Sequence, residues 1–347
     1  MDSIGLDLHP RECQVCVIDA TGTARQQRIP TSVSGLDRVF AGRPPAQVVL
    51  EASTESEWVA QHLERIGHRV RIADPNDARL YAGRSRHIKT DARDAYALAE
   101  AAQRSDWRVA HRPSAGRRVL RRELAGRELL VRTRSRLTSQ VRAFVRGEGL
   151  RVPAATADTF ERHARALPVS SALKPLLKDL LTVRAAVHTQ IACCDARVAS
   201  RAFEDPDVVR AMTVPGVGVI TASAFVAALD DVHRFRSGEQ VASYLGLVPR
   251  ERSSSERRRL GWITKAGDTR TRWLLVEAAW TIRRSRRADT AALRAWCHGV
   301  EQRRGRSIAV VALARRLAVI LFTMWRDAVP YDATRLRLPG GANAHAA

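Results

Sequence analysis

The first hundred residues read as short apolar runs separated by turn-forming residues. Strand-like runs at 4–9, 13–19 and 23–29 are divided by His9-Pro10 and Thr21-Gly22. Gaps this short predict an antiparallel meander. A helix is expected at 33–40, then a buried strand at 47–52. Trp58, Val59, Leu63 and Ile66 fall at helical spacing, so an amphipathic helix comes next. A strand at 69–73 runs into Asp74-Pro75-Asn76, and a further helix opens after Thr90. Three strands in meander, then helix, strand, helix, strand, helix, is the element order of an α/β RNase H-like (RuvC-like) fold. That order narrows the fold and leaves the function open.

From about 114 to 200 the pattern turns helical and strongly basic. Leu130, Leu137 and Phe144 recur every seven residues. Leu173, Leu176, Leu180, Val183, Val187, Ile191, Cys194 and Val198 recur at steps of three and four, a coiled-coil-like seam. Two helices packing within one chain would produce this pattern, and so would a dimer contact. Beyond 205, Val214-Pro215-Gly216-Val217-Gly218 precedes an apolar helix at 220–229. Ser237 and Gln240 read as a capping box, a polar basic loop covers 249–261, and helices are expected near 269–283 and 307–326. The expected division is an RNase H-like domain at 1–112, a helical connector at 113–204, a mainly α-helical C-terminal domain at 205–332 and a frayed tail at 333–347.

Composition adds a partner to this outline. The chain has 347 residues, enough for two domains, and its 45% hydrophobic content supports real cores. A net charge of +22 resists compaction unless an anion neutralises it, and nucleic acid is the first candidate. A GC-rich gene that writes Arg for Lys would explain the scarcity of Lys, yet that exchange leaves the charge excess untouched. Cys13 and Cys16 lie three apart in an expected strand and so face opposite ways; no second pair occurs at zinc spacing. The five cysteines read as reduced structural residues. No signal peptide opens the sequence, and the apolar run at 317–325 is too short for a bilayer. The expectation is a soluble, cytoplasmic protein with no membrane partner.

Four carboxylates suggest the chemistry. Asp7 sits inside the apolar first strand, where a charge is costly unless it is paired or holds a metal. Glu51 ends the buried strand that neighbours it in an RNase H-like sheet. Asp91 and Asp94 are at i and i+3 on the helix opened by Thr90 and share a face. Together the four form an oxygen-rich pocket suited to Mg²⁺ or Mn²⁺. Two such ions about 3.5–4 Å apart can clamp the attacking and leaving oxygens of a phosphoryl displacement. Taken singly, Asp91 and Asp94 would pass as partners of a helix dipole, and Glu51 as an ordinary strand end.

Two further segments point at phosphate. Gly216 and Gly218 lie in a turn like that of a helix-hairpin-helix, where backbone N–H groups meet a phosphate; a plain helix–helix turn is the alternative. Segment 249–259 sets Ser253, Ser254 and Ser255 among five arginines, including Arg252, Arg257, Arg258 and Arg259. Such loops are commonly solvated phosphate grips. A serine there is also a candidate nucleophile, because guanidinium groups stabilise charge at pentavalent phosphorus. Lys265 and Arg272 beyond the loop are further phosphate contacts. No Gly-x-Ser-x-Gly elbow occurs, so acyl-transfer chemistry is unsupported.

These segments occur in an order that resembles the DEDD-type insertion-sequence transposases of the "one-ten" group, the bridge-RNA-guided recombinases. The resemblance rests on Gly5-Leu6-Asp7, Leu50-Glu51-Ala52, Asp74-Pro75, Lys89-Thr90-Asp91-Ala92-Arg93-Asp94-Ala95, Val214-Pro215-Gly216-Val217-Gly218, and Gly246-Leu247-Val248-Pro249 leading to Thr264-Lys265-Ala266-Gly267. It spans nearly the whole chain. It implies a RuvC-like domain, a helical dimerising connector and a serine-bearing transposase domain, with Asp7, Glu51, Asp91 and Asp94 as metal ligands. The serine it implies is Ser254, five residues after Pro249. The family has Gly after that serine where this chain has Ser255, which keeps Ser253 and Ser255 as candidates.

The expected function is site-specific strand cleavage and exchange on double-stranded DNA that mobilises the protein's own element. The resemblance implies a structured non-coding RNA partner and a homo-oligomer, dimer or tetramer. The rivals are a RuvC-like nuclease using metal-activated water and a non-catalytic nucleic-acid-binding scaffold. The intact set of four carboxylates argues against the scaffold.

Overall fold

The computed structural model describes residues 1–75, 77, 90–104, 106–251 and 260–335, which group into two compact units, Met1–Pro113 and the chain from Ser114 onward. In the first unit β1 (Ser3–Leu8), β2 (Glu12–Ile18) and β3 (Ala24–Pro30) form an antiparallel meander. Helix α1 (Val33–Phe40) leads to β4 (Gln47–Glu51), and α2 (Ser56–Arg65) leads to β5 (Arg69–Ala73). Both later strands run parallel to β1, giving the order β3-β2-β1-β4-β5. Helix α3 (Asp91–Ala102) closes the unit, with the Thr90 hydroxyl accepting from the Arg93 N–H at its start.

Side chains two apart on a strand share a face. Ile4, Leu6 and Leu8 therefore join Val48, Leu50, Leu36, Phe40, Val59 and Leu63 in the core with α1 and α2. The alternate residues Gly5 and Asp7 face the other way, toward α3. Helix α3 can lie on that face only because position 5 is glycine. A Cβ at Gly5 would stand 2.0 Å from the Ala95 carbonyl oxygen and 2.4 Å from the Ala99 nitrogen. Cys13 belongs to the α1/α2 core and Cys16 to the α3 side, and neither is in a disulfide.

The second unit is helical apart from one hairpin among the described residues. Helix α4 (Ala115–Gly147) and, after the short α5 (Phe160–Arg165), helix α6 (Lys174–Phe203) pack along one another within the chain. Their far ends share Val141, Val145, Phe160, Leu177 and Leu181. Their near ends, through Leu120, Leu124 and Val198, share a core with Ala224, Ala227 and Leu274. The 113–204 segment thus shares part of its core with the C-terminal helices. The expected seam holds at Ile191, Cys194 and Val198, but earlier in α6 the buried positions are Leu177, Leu181 and Arg184. Leu176 and Val183 are 44% and 52% exposed. The stripe slips by one position because Arg184, spent on hydrogen bonds, takes an inward place.

Helices α7 (Pro206–Met212), α8 (Val219–Leu229) and α9 (Gly238–Tyr244) come next, then the hairpin β6 (Pro249–Glu251) and β7 (Leu260–Ile263). Helices α10 (Thr269–Arg284), α11 (Ala291–Arg304) and α12 (Arg306–Arg326) complete the unit. At the start of α9, Ser237 accepts from the Gln240 N–H, but the Gln240 side chain accepts from the Arg236 N–H, so the expected reciprocal bond to Ser237 is displaced by one residue. Helix α12 is 21 residues long and apolar enough to span a bilayer, which the run at 317–325 alone would not suggest. Val310, Leu313, Leu317, Leu321 and Phe322 are buried among α7–α11, the position of a core helix. Most of the expected tail, 336–347, lies outside the described residues.

Candidate metal centre

Asp7 is the pivot of the site. Strand alternation turns it toward α3, and its side chain is only 13% exposed. The parallel pairing of Leu6 with Leu50 puts Asp7 and Glu51 one step further along adjacent strands. Helix α3 brings Asp91 and Asp94 from its first turn, and Asp94 is 3% exposed. Burial pushes the Asp7 carboxyl above its ordinary pKa; His9 opposes this, while the charges of Asp94, Asp91 and Glu51 push the same way. The other three predicted carboxylates therefore all bear on Asp7.

His9 is an addition that sequence reading passed over. Its Nε2 lies 3.5 Å from Asp7 Oδ2 and 3.5 Å from Asp91 Oδ1. Donor atoms of Asp7, His9 and Asp91 all fall within 4.8 Å of one another, whereas Glu51 and Asp94 stand outside this tightest group. The available signal was its position two residues after Asp7 at the end of one strand, where both side chains share a face. Arg28 on β3 reaches Asp91 Oδ2 at 3.4 Å and Glu12 at 3.6 Å. An open cleft of about 640 Å³, lined by His9, Arg11, Glu12, Gln14, Arg28 and Asp91, adjoins the group.

The donor set fits a divalent ion. A half-buried carboxyl crowded by other carboxylates is favoured in its charged form when a cation offsets them. In the ion-free protein, a carboxyl whose pKa is raised by folding destabilises the fold when charged, and that penalty is relieved as pH falls through the raised value. Asp7→Asn is accordingly expected to raise the ion-free melting temperature by about 2–4 °C while removing the further rise on adding Mn²⁺. Differential scanning calorimetry with and without the ion checks this. A lower ion-free melting temperature would show that Asp7 is a structural partner rather than one of several crowded charges.

The phosphate-contact candidates of the second unit divide. Gly216 has φ +83°, and a Cβ there would stand 2.9 Å from Ile282 Cγ1 and 3.2 Å from the Ala278 carbonyl oxygen. Packing of the 214–218 turn on α10 thus requires this glycine. Gly218 faces open space at the start of α8. Lys265 is exposed, with φ +56°. Arg272 is 8% exposed, and its guanidinium donates to the Leu245 and Ala266 carbonyl oxygens and to Thr269 Oγ1. It clamps two turns together, so these nitrogens are engaged within the protein. Arg252, Ser253, Ser254, Ser255, Arg257, Arg258 and Arg259 lie outside the described residues. Next to them Trp262 on β7 is 85% exposed, a second residue passed over.

The comparisons with known proteins give the family. A DEDD transposase family model of the IS110 type matches residues 4–148, and a model of the Transposase IS116/IS110/IS902 family matches residues 209–294. The chain is 33% identical over 332 residues to a probable family 20 transposase of Pseudomonas aeruginosa, covering 93% of this chain and 96% of the relative. It is 27% identical to the transposase for insertion sequence element IS1328 of Yersinia enterocolitica, covering 92% of this chain and 96% of the relative. It is 26% identical to the transposase for insertion sequence element IS1111A of Coxiella burnetii, covering 92% and 88%. The family implies an RNase H-like domain and use of a divalent metal. The chain belongs to the IS110-type DEDD transposases of insertion sequences, enzymes that cut and recombine DNA.

Proposed function

We propose that this transposase exchanges DNA strands through a covalent phosphoserine intermediate, with Asp7, Glu51, Asp91 and Asp94 holding Mg²⁺ or Mn²⁺ and Ser254 as nucleophile. The observation that carries the reading is the convergence of four carboxylates on one face of β1 under α3. A bound divalent ion would supply charge neutralisation at the attacked phosphate. The protein's own share begins with the serine. Its Oγ–H loses a proton, an Oγ–P bond forms, and the bond from phosphorus to the sugar oxygen breaks, that oxygen taking up a proton. The phosphodiester energy is kept in the phosphoserine ester, so rejoining needs no ATP. The arginines at 250–259 neutralise the phosphorane, and Lys265 and the backbone at Gly216 and Gly218 hold flanking phosphates.

The wider assembly has the same chemical logic. The charge of +22 and the exposed indole of Trp262 suit phosphate contacts and base stacking. A structured RNA from the element's own flank is the guide, and the exposed Leu176 and Val183 on α6 suit a second copy of the chain. Adduct trapping on a nicked DNA substrate, followed by peptide mapping, tests the central step. Ser254→Ala is expected to abolish the adduct and recombination with DNA binding retained, while Ser253→Ala and Ser255→Ala keep measurable activity. An adduct on Ser253 or Ser255 would move the nucleophile within the loop. Robust cleavage with no adduct would replace the reading by hydrolysis with metal-activated water.

A further inference from the structure

We infer that His9 is a nitrogen ligand of the divalent ion at the carboxylate cluster, and that the site therefore prefers a first-row transition ion such as Mn²⁺ to Mg²⁺. The inference rests on the four-carboxylate reading above and adds to it a ligand and an ion preference.

Donors about 2.1 Å from one ion stand about 3.0 Å apart at a right angle and about 3.4 Å apart at a tetrahedral angle. His9 Nε2 is 3.5 Å from both Asp7 Oδ2 and Asp91 Oδ1, so one ion can sit against all three with little side-chain adjustment. The backbone that carries the imidazole is also held in place. The His9 N–H donates to the Glu12 carbonyl oxygen, and Thr31 Oγ1 donates to the His9 carbonyl oxygen at 2.8 Å. Pro10 comes directly after and restricts the backbone of His9. A ligand fixed this way loses little entropy on binding.

The donor type sets the ion preference. Mg²⁺ takes oxygen ligands and gives up water reluctantly. First-row transition ions accept imidazole, with affinity rising along the series from Mn²⁺. A neutral imidazole adds a donor without adding a fifth negative charge to a crowded group. The side chain is half exposed beside the open cleft, so the ion it binds would also face an incoming phosphate.

The probe is Mn²⁺, titrated into the full-length protein and monitored by calorimetry and by pulsed electron paramagnetic resonance. The wild type should show ¹⁴N modulation from one directly coordinated imidazole and bind Mn²⁺ at least tenfold more tightly than Mg²⁺. His9→Asn should lose the modulation and about tenfold in Mn²⁺ affinity, with Mg²⁺ affinity changed less than twofold. Asp7→Asn should lose binding of both ions. Mn²⁺ bound without imidazole coupling, or with unchanged affinity in His9→Asn, would overturn the inference and leave the carboxylate site standing. Failure of the wild type to bind either ion would overturn both.

Discussion

Gly5→Ala is expected to disable the site without touching any of its ligands. The added methyl would meet the Ala95 carbonyl oxygen and the Ala99 nitrogen, both backbone atoms of α3, so no side-chain rotation relieves the clash. The helix must retreat from β1, and Asp91 and Asp94 retreat with it. Overpacking of this kind costs about 1–3 kcal/mol. The larger effect is on the ion: Mn²⁺ affinity should fall at least a hundredfold and strand cleavage should disappear. Gly126→Ala on α4 is the control, since nothing lies within 4 Å of a Cβ there. It should stabilise the protein by about 0.5–1 kcal/mol, as Ala does in place of Gly inside a helix. Wild-type ion affinity in Gly5→Ala would mean that α3 is not held by that contact.

The second large effect belongs to Arg184. Its side chain is almost fully buried on α6, yet it is charged. Its Nε donates to Thr138 Oγ1 at 2.8 Å, both terminal nitrogens donate to the Ala157 carbonyl oxygen, and it pairs with Glu161. The guanidinium also lies 4.5 Å from the centre of the Phe160 ring. One side chain thus ties α4, α5 and α6 together. Arg184→Met would remove the cation paired with the Glu161 carboxylate and the donor to Thr138 Oγ1, at a cost of about 3–5 kcal/mol. The double change Arg184→Met with Glu161→Leu should recover much of that loss, because a paired charge costs nearly as much to bury as it returns. Urea unfolding of the three variants decides it. A single-variant loss below about 1 kcal/mol would show that the network is decorative.

The contrast between these two residues shows what the sequence carried. The first unit was legible almost strand by strand, because half-buried strands write their faces as alternating apolar positions and their ends as Gly, Pro and Asp. Asp7 stood out for a related reason, since a charge inside an apolar strand is costly, whereas Glu51, Asp91 and Asp94 stood out only through the element order that would bring them to it. His9 was missed because a histidine at a strand end has many ordinary roles, and only its approach to Asp7 and Asp91 separates it from them. Arg184 was hidden because a buried arginine looks like a surface one until its partners are known. The α6 stripe accordingly read one position off. The packing role of Arg272 was hidden in the same way, since a basic residue after a basic loop suggests phosphate, and only its bonds to two carbonyl oxygens show a clamp. Gly5 belonged to a matching motif, yet the need for it is a distance to another helix, which no local pattern contains.

The clamp at the foot of the β6–β7 hairpin has a meaning for how such a protein can vary. Gly246 and Gly267 admit no side chain, since a Cβ at either would stand about 2 Å from backbone oxygen, at 2.2 Å from Ala266 and 1.9 Å from Tyr244. Arg272 bolts the same two turns from beneath. The two turns at the foot of the hairpin therefore form a rigid socket. Lengthening a closed loop is cheap, about 0.6 kcal/mol for each doubling, so chain added beyond such a socket would cost the fold little. A lineage of mobile elements built on this scaffold could vary in length and sequence beyond the hairpin foot without having to rebuild the fold beneath it.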